Sequence, residues 1–251
     1  VYEAGELRYV KLGEREVLRG VYVAVRDRDW NTILPTFSNI QTQIGPDSFH
    51  IQYDVENKLD EIHFAWHGAI NGEADGTITF TMDGVARSTF LRNRIGFCLL
   101  HPMRECAGQP CRVEHVDGRV TESIFPRYIS PHQPFLDIRV ISHQLMPNLW
   151  AEVRFAGEVF EMEDQRNWTD ASFKTYCTPL RLPFPVEIKA GTRVAQSVTL
   201  TLRGQRPAIQ PGPPSTLTFT VGDSSTARLP RLGLGAASHG QPLTEQELAR
   251  L

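Results

Sequence analysis

Alternation with a period of two is the feature that most constrains this chain. In EIHFAWH, Ile62, Phe64 and Trp66 alternate with His63, Ala65 and His67. In GTITFTM, Ile78, Phe80 and Met82 alternate with Thr77, Thr79 and Thr81. VTLTL (198–202) and STLTFTV (215–221) repeat the pattern, the second setting Leu217, Phe219 and Val221 against threonines. Successive side chains of a strand point to opposite faces, so this rhythm predicts strands with one buried face. Asn71-Gly72, Asp83-Gly84 and Asp117-Gly118 accept positive φ and are expected at hairpin turns. Proline-rich breaks at 179–185 and 207–214 separate further segments, and helical periodicity is nearly absent before residue 240. The pattern predicts an all-β fold for residues 1–228, a large antiparallel two-sheet sandwich.

Residues 229–251 read differently. LGLG (232–235) has the look of a buried strand, and a small-residue loop follows. Thr244 and Glu247 then form a capping box ahead of Leu248 and Leu251. Two readings stay open: a helix docked on the sandwich, or the first strand, loop and helix of a truncated α/β domain.

Composition narrows the function. Among 251 residues 41% are apolar, which can supply a real core, and the net charge of −3 comes without a concentrated basic patch. Nucleic acid is therefore not an expected partner. No apolar run approaches the roughly 20 residues needed to cross a bilayer, and the start lacks a signal-peptide core. Four cysteines in a chain this long read as reduced thiols in a cytoplasmic protein. There is no GxSxG, HExxH, P-loop or GxGxxG signature.

Four stretches carry polar chemistry. In EMEDQRNWTDASFKTY (161–176), Glu163, Asp164, Gln165, Arg166, Asn167, Asp170 and Lys174 surround Trp168, Phe173 and Tyr176. The aromatics argue that the run packs. A flat ring beside Asp, Asn and Arg also suits a sugar, so Trp168 is either a stacking platform or a core plug. An open groove at Trp168 would mark a ligand site; a sealed, paired network would mark architecture. In FLRNRIGFCLLHP (90–102), Arg92 and Arg94 are expected on one strand face, needing an anionic neighbour such as Glu163 or Asp164, or an anionic ligand. His101 ends that strand. In HPMRECAGQPCRVEH, the residues His101, Cys106, Cys111 and His115 could surround a zinc ion, though a C-x4-C spacing matches no standard finger; a disulfide or ordinary core roles are the other readings. In ISPHQPFLDIRVISHQL (129–145), His132 lies between prolines in a rigid loop, as a surface residue or a ligand contact, while Asp137 and His143 lie on the strand after it.

LRNRIGFCLLHP, RECAGQPCRVEHVDG, FPRYISPHQPFLDIR and, above all, EMEDQRNWTDASFKTYCTPL with its following LPFPV together resemble the N-terminal region of the D-apionate lactonase family. The resemblance implies a galactose-mutarotase-like β-sandwich that precedes a TIM barrel and a smaller β domain. LGLGAASHGQPLTEQELARL is then the barrel's entry, and the missing barrel of the same chain is the sandwich's partner. It also implies hydrolysis of a sugar-acid lactone, D-apionolactone, to the open acid in apiose catabolism. Such a reaction needs a base for water and donors for the oxyanion. The base candidates are Glu163, Asp164 and His101. Substrate-binding candidates are Arg92, Arg94, Arg166, Asn167, Trp168, Asp170 and His132. The sequence requires no metal and no other cofactor. A mutarotase or epimerase-like activity, for example through His101 with Glu163, and a non-catalytic carbohydrate-binding or structural sandwich are the alternatives.

Overall fold

The computed structural model describes residues 1–205 and 245–248. Two compact units divide the chain, Val1–Pro211 and Gly212–Leu251. The 228/229 boundary, the strand at LGLG, STLTFTV and the Thr244 cap all lie outside the described residues. Glu245–Leu248 form a short helix.

The described residues of the first unit form sixteen strands. In chain order they are β1 (Tyr2–Glu3), β2 (Glu6–Leu12), β3 (Arg15–Asp27), β4 (Pro35–Ile44), β5 (Phe49–Leu59), β6 (Ile62–Gly72), β7 (Ile78–Ala86) and β8 (Phe90–Pro102). A short helix α1 (Met103–Cys106) precedes β9 (Pro110–His115), β10 (Val120–Ile124), β11 (Phe135–Met146), β12 (Leu149–Ala156) and β13 (Phe160–Asp164). A 3-10 turn at Gln165–Trp168 leads into β14 (Ser172–Tyr176), β15 (Val186–Ile188) and β16 (Arg193–Gly204). Every pairing is antiparallel. The all-β, antiparallel expectation is met.

The two layers are halves of one continuous ladder, β1-β2-β3-β8-β14-β13-β11-β12-β16-β7-β6-β5-β4. The ladder curls until its two halves face each other. Leu7, Leu18 and Val21 of β2 and β3 thus share a small internal gap with Phe80, Val198 and Leu200 of β7 and β16. Phe80 and Phe97 meet edge-to-face at 4.9 Å across the same core. Phe64, Ile70, Phe80, Met82 and Val198, all set by the alternation, are buried there. Each such side chain contributes roughly 1.5–3 kcal/mol on burial, so the period-two pattern is also the energetic basis of the fold.

The hairpin expectations divide. Asp117-Gly118 turns β9 into β10, with Gly118 at φ 85°. Asn71-Gly72 instead closes β6, and the reversal falls at 73–77, where Gly76 N–H donates to Glu73 C=O at 2.7 Å. Asp83-Gly84 is not a turn: it lies within β7, opposite His67 and Trp66. Gly84 is needed for space, because a Cβ there would run into the Phe64 ring and the Trp66 Cβ. Among the described residues no helix is long and apolar enough to cross a membrane.

Candidate functional site

The sheet face turned away from the core carries an open cleft of about 530 Å³. β3, β8, β13 and β14 lie side by side beneath it. Alternation decides what reaches it. On β14, Phe173 and Thr175 point inward, while Lys174 and Tyr176 line the cleft. On β13, Phe160 and Met162 join the core, and Glu163 faces the cleft. β8 contributes Arg94, Gly96 and Cys98, and β3 contributes Ala24 and Arg26.

Arg94 is the least satisfied group of the cleft. It is 5% exposed. Its guanidinium lies 5.0 Å from the ring centres of both Trp30 and Phe184. Nη1 donates to the Asn93 carbonyl at 2.7 Å. Nε and Nη2 are buried without a hydrogen-bond partner among the described residues. Burial pulls this guanidinium below its ordinary value, against the pull of Tyr176 and Glu161. An arginine nevertheless stays charged. The sheet therefore holds a cation with two donors unmade beside an open cleft, and such donors normally find a partner. The expected pairing of Arg94 with Glu163 or Asp164 does not form: Glu163 is paired with Lys174 and Asp164 with Arg166.

The cleft floor depends on residues the sequence reading passed over. Gly96 has φ 145°, and a Cβ there would overlap Gln196 Oε1 and Cys177 Sγ. Gln196 reaches across from β16, accepting from Phe97 N–H at 3.1 Å and donating to Ile95 C=O at 3.2 Å. It stands in for a strand partner on that edge of β8, where β14 pairs Cys98–Pro102 and β15 pairs Phe90–Arg92 but neither pairs the residues between. Its signal was present in the sequence: Gln196 falls in register with Val198 and Leu200, a polar residue on an apolar stripe. Glu161, 2% exposed, accepts from Tyr176 Oη at 2.5 Å and Leu180 N–H at 2.7 Å, fixing the cleft's far wall. Trp30 carried no sequence signal; it enters from a turn at φ 69°.

The remaining candidates scatter. Trp168 lies at the cleft, 71% exposed, so the core-plug reading is excluded, whereas Phe173 and Tyr176 are buried. Asp164 does not reach the cleft. Its buried carboxylate accepts from Arg166 Nε at 2.9 Å, Arg166 Nη2 at 2.7 Å and Ser130 N–H at 2.9 Å. Arg166 also donates to the carbonyls of Pro126, Arg127 and Tyr128. Asn167 donates to Ser130 C=O at 2.6 Å and Asp164 C=O at 3.1 Å. These three lace the polar run to the 126–130 loop. Asp170 accepts from Ser172 Oγ at 3.1 Å, and His132 is exposed on its loop. Arg92 does not share the cleft with Arg94. It lines a separate depression with Glu158, Glu187 and Lys189, because β8 is irregular here: Arg26 pairs with Arg94 but the adjacent Asp27 with Arg92.

His101 is fully buried and away from the cleft, its Nε2 2.9 Å from Thr175 Oγ1. It therefore does not meet Glu163 as an acid–base pair. Burial, with His143 adding to it, holds His101 well below its ordinary value; burial alone brings His143 to about 4. Of the four residues weighed as a zinc set, His115 is committed elsewhere, to Leu136 C=O at 2.8 Å and Thr121 Oγ1 at 2.9 Å. All four cysteines are free and buried.

With this geometry in view, the comparisons are decisive. The family described as "D-apionate lactonase, N-terminal domain" matches residues 1–205. The chain belongs to the D-apionate lactonase family. A curated D-apionate lactonase of Brucella anthropi is 40% identical over 92% of the chain, which spans 38% of that relative's length. A solved protein of Synechocystis sp. PCC 6803 shares the fold, with TM-score 0.50 and 11% identity over 76% of this chain and 81% of that one. A putative aldose 1-epimerase of Escherichia coli K12 aligns at TM-score 0.42 and 12% identity, covering 74% and 84%.

Proposed function

We propose that this chain is the N-terminal domain of a sugar-acid lactone hydrolase, converting D-apionolactone to D-apionate, and that the outer cleft contacts the substrate or its product. The observation that carries the reading is Arg94, a buried cation with two free N–H donors beside the open cleft. Lactone opening builds negative charge on the carbonyl oxygen and leaves a carboxylate. A guanidinium fork matches both states, and more strongly away from bulk water. Glu163 is the carboxylate on the same cleft, held by Lys174 and by Gln165 Nε2 at 2.6 Å. In this reading it accepts a proton from an attacking water, while Trp168 offers a ring face to the sugar. Sugar hydroxyls would meet Lys174 and Arg26.

Residues 229–251 fit the entry to a following TIM barrel, the barrel being the rest of the active unit, and the buried free thiols suit a reducing, cytoplasmic setting. The test is base uptake by the full-length protein supplied with D-apionolactone. Arg94→Ala should lower kcat/KM about 100-fold, the loss expected for two charged hydrogen bonds. Arg94→Lys should not restore it, because an ammonium cannot reproduce the fork. Full turnover by Arg94→Ala would remove the cleft from the reaction.

A further inference from the structure

Directly behind the cleft strand, on the inner face, lies a second cluster that lactone hydrolysis does not use. His101 from the end of β8, Cys106 from α1 and His143 from β11 each offer a ligand atom within 4.8 Å of the others. All three residues are 0% exposed. Among the described residues His143 has no hydrogen-bond partner for either ring nitrogen, and His101 has none for Nδ1. Three unpartnered imidazole nitrogens in a sealed interior stand out, because buried polar atoms are nearly always paired. Phe125 packs against both imidazoles, with ring centres 5.6 and 6.2 Å away, so aromatic faces close the box.

We propose that His101, Cys106 and His143 form a buried site for a zinc ion, with Cys111 as the fourth ligand. Cys111 is 1% exposed and sits directly opposite His143 in the β9–β11 ladder, so both side chains emerge on one face. The donor set, two imidazoles and two thiolates, is that of a closed structural zinc site. Two thiolates also cancel the charge of a divalent ion, which matters in an interior that tolerates no net charge. Ligand atoms around zinc stand about 3.3–3.8 Å apart, from bonds of roughly 2.0–2.3 Å. His101, Cys106 and His143 therefore close in by about 1 Å on loading, Cys111, which lies outside that 4.8 Å group, moves farther, and each thiol releases a proton. His101 Nε2 is already engaged with Thr175 Oγ1, which leaves Nδ1 as the metal-facing nitrogen.

The topology gives the site a job. β8 and β11 are separated in the ladder by β14 and β13, so an ion bridging His101 and His143 clamps the strands that carry Glu163, Lys174 and Tyr176. Zinc here is a brace for the cleft's floor and takes no part in proton transfer at its surface.

The ligands are sealed, so the full-length protein is expressed with supplemented Zn2+ or Co2+ and exchanged against chelator before measurement. One equivalent of retained zinc is expected. The cobalt form should show a thiolate-to-cobalt charge-transfer band, and Tm should rise roughly 5–10 °C over protein prepared without metal. Cys106→Ser and His143→Gln should abolish retention, Cys111→Ser should weaken it, and Cys177→Ser should leave it intact. Folded wild-type protein that retains no metal and shows no charge-transfer band overturns the proposal. So does a Cys106→Ser variant that holds zinc as wild type does. The cobalt band of the wild type decides the matter even where a substituted core fails to fold.

Discussion

Glu163 and Asp164 are neighbours on β13, yet one faces an open cleft and the other is sealed inside a knot of hydrogen bonds. The same split runs through the whole stretch 161–176. Glu163, Trp168, Lys174 and Tyr176 line the cleft. Asp164, Arg166 and Asn167 tie the 3-10 turn to the 126–130 loop, with the Arg166 guanidinium 5.2 Å from the Phe173 ring centre. Each half pairs a carboxylate with a cation, Glu163 with Lys174 and Asp164 with Arg166. What separates them is strand parity and the turn at Gln165–Trp168, which folds Arg166 back over its own strand end. A polar island in a β protein can thus be a ligand surface on one side and a structural clasp on the other.

The largest effect should come from cutting the clasp. Arg166→Ala leaves Asp164, whose side chain is fully buried, without its counter-ion. Breaking such a pair costs about 3–5 kcal/mol, read as a shift of the urea midpoint, while KM for the lactone should hardly move. A variant that kept its stability but lost affinity would move Arg166 to the ligand side of the comparison. The clasp also predicts an acid response. Burial alone would raise the Asp164 pKa, but bonds from Arg166, Ser130 N–H and Arg166 N–H outweigh it, and the net shift is downward from 3.8. A depressed folded value means that its contribution is complete above the unfolded value. It is lost as pH falls from about 3.8 through the lower folded one. Arg166→Ala should flatten that part of the stability–pH curve.

Arg94→Ala should give the reverse signature. It removes a buried cation with unmade bonds, so stability should hold or rise while kcat/KM falls about 100-fold. Together the two arginines test whether clasp and cleft are separable.

Next in size is Gly96→Ala. The position combines φ 145° with a Cβ that collides with Gln196 and Cys177. Overpacking and backbone strain of this kind cost about 1–3 kcal/mol. Because Gln196 must move, the cleft floor moves too, and KM should rise along with the loss of stability.

The fold was legible because the core rests on alternation, and alternation is local. Phe64, Phe80, Met82 and Val198 fall on the apolar side of the alternation, and all four are buried. Asp83-Gly84 lies inside a strand although its sequence suits a turn, because a glycine that makes room for a ring looks, in sequence, like one that permits a turn. The site was less legible because its members converge from distant strands. His101 and His143 meet through the β8–β14–β13–β11 order, and no spacing rule announces that order. Arg92 and Arg94 were parted by an irregularity in the β3–β8 ladder that shifts parity between them.

The smallest effect tests the boundary between the two halves. Trp168 closes the 3-10 turn that begins at the clasp, yet its ring is 71% exposed at the cleft. As a solvent-facing side chain it should contribute little to folding, so Trp168→Ala should change stability by no more than about 0.5 kcal/mol. As a stacking face it should matter to the ligand, with KM for the lactone rising roughly fivefold to tenfold and kcat nearly constant, the pattern of lost ground-state binding. A Trp168→Phe variant should recover most of that affinity, since it keeps a flat apolar face and loses only the indole N–H. Unchanged KM in both variants would confine the ligand to the Arg94 end of the cleft.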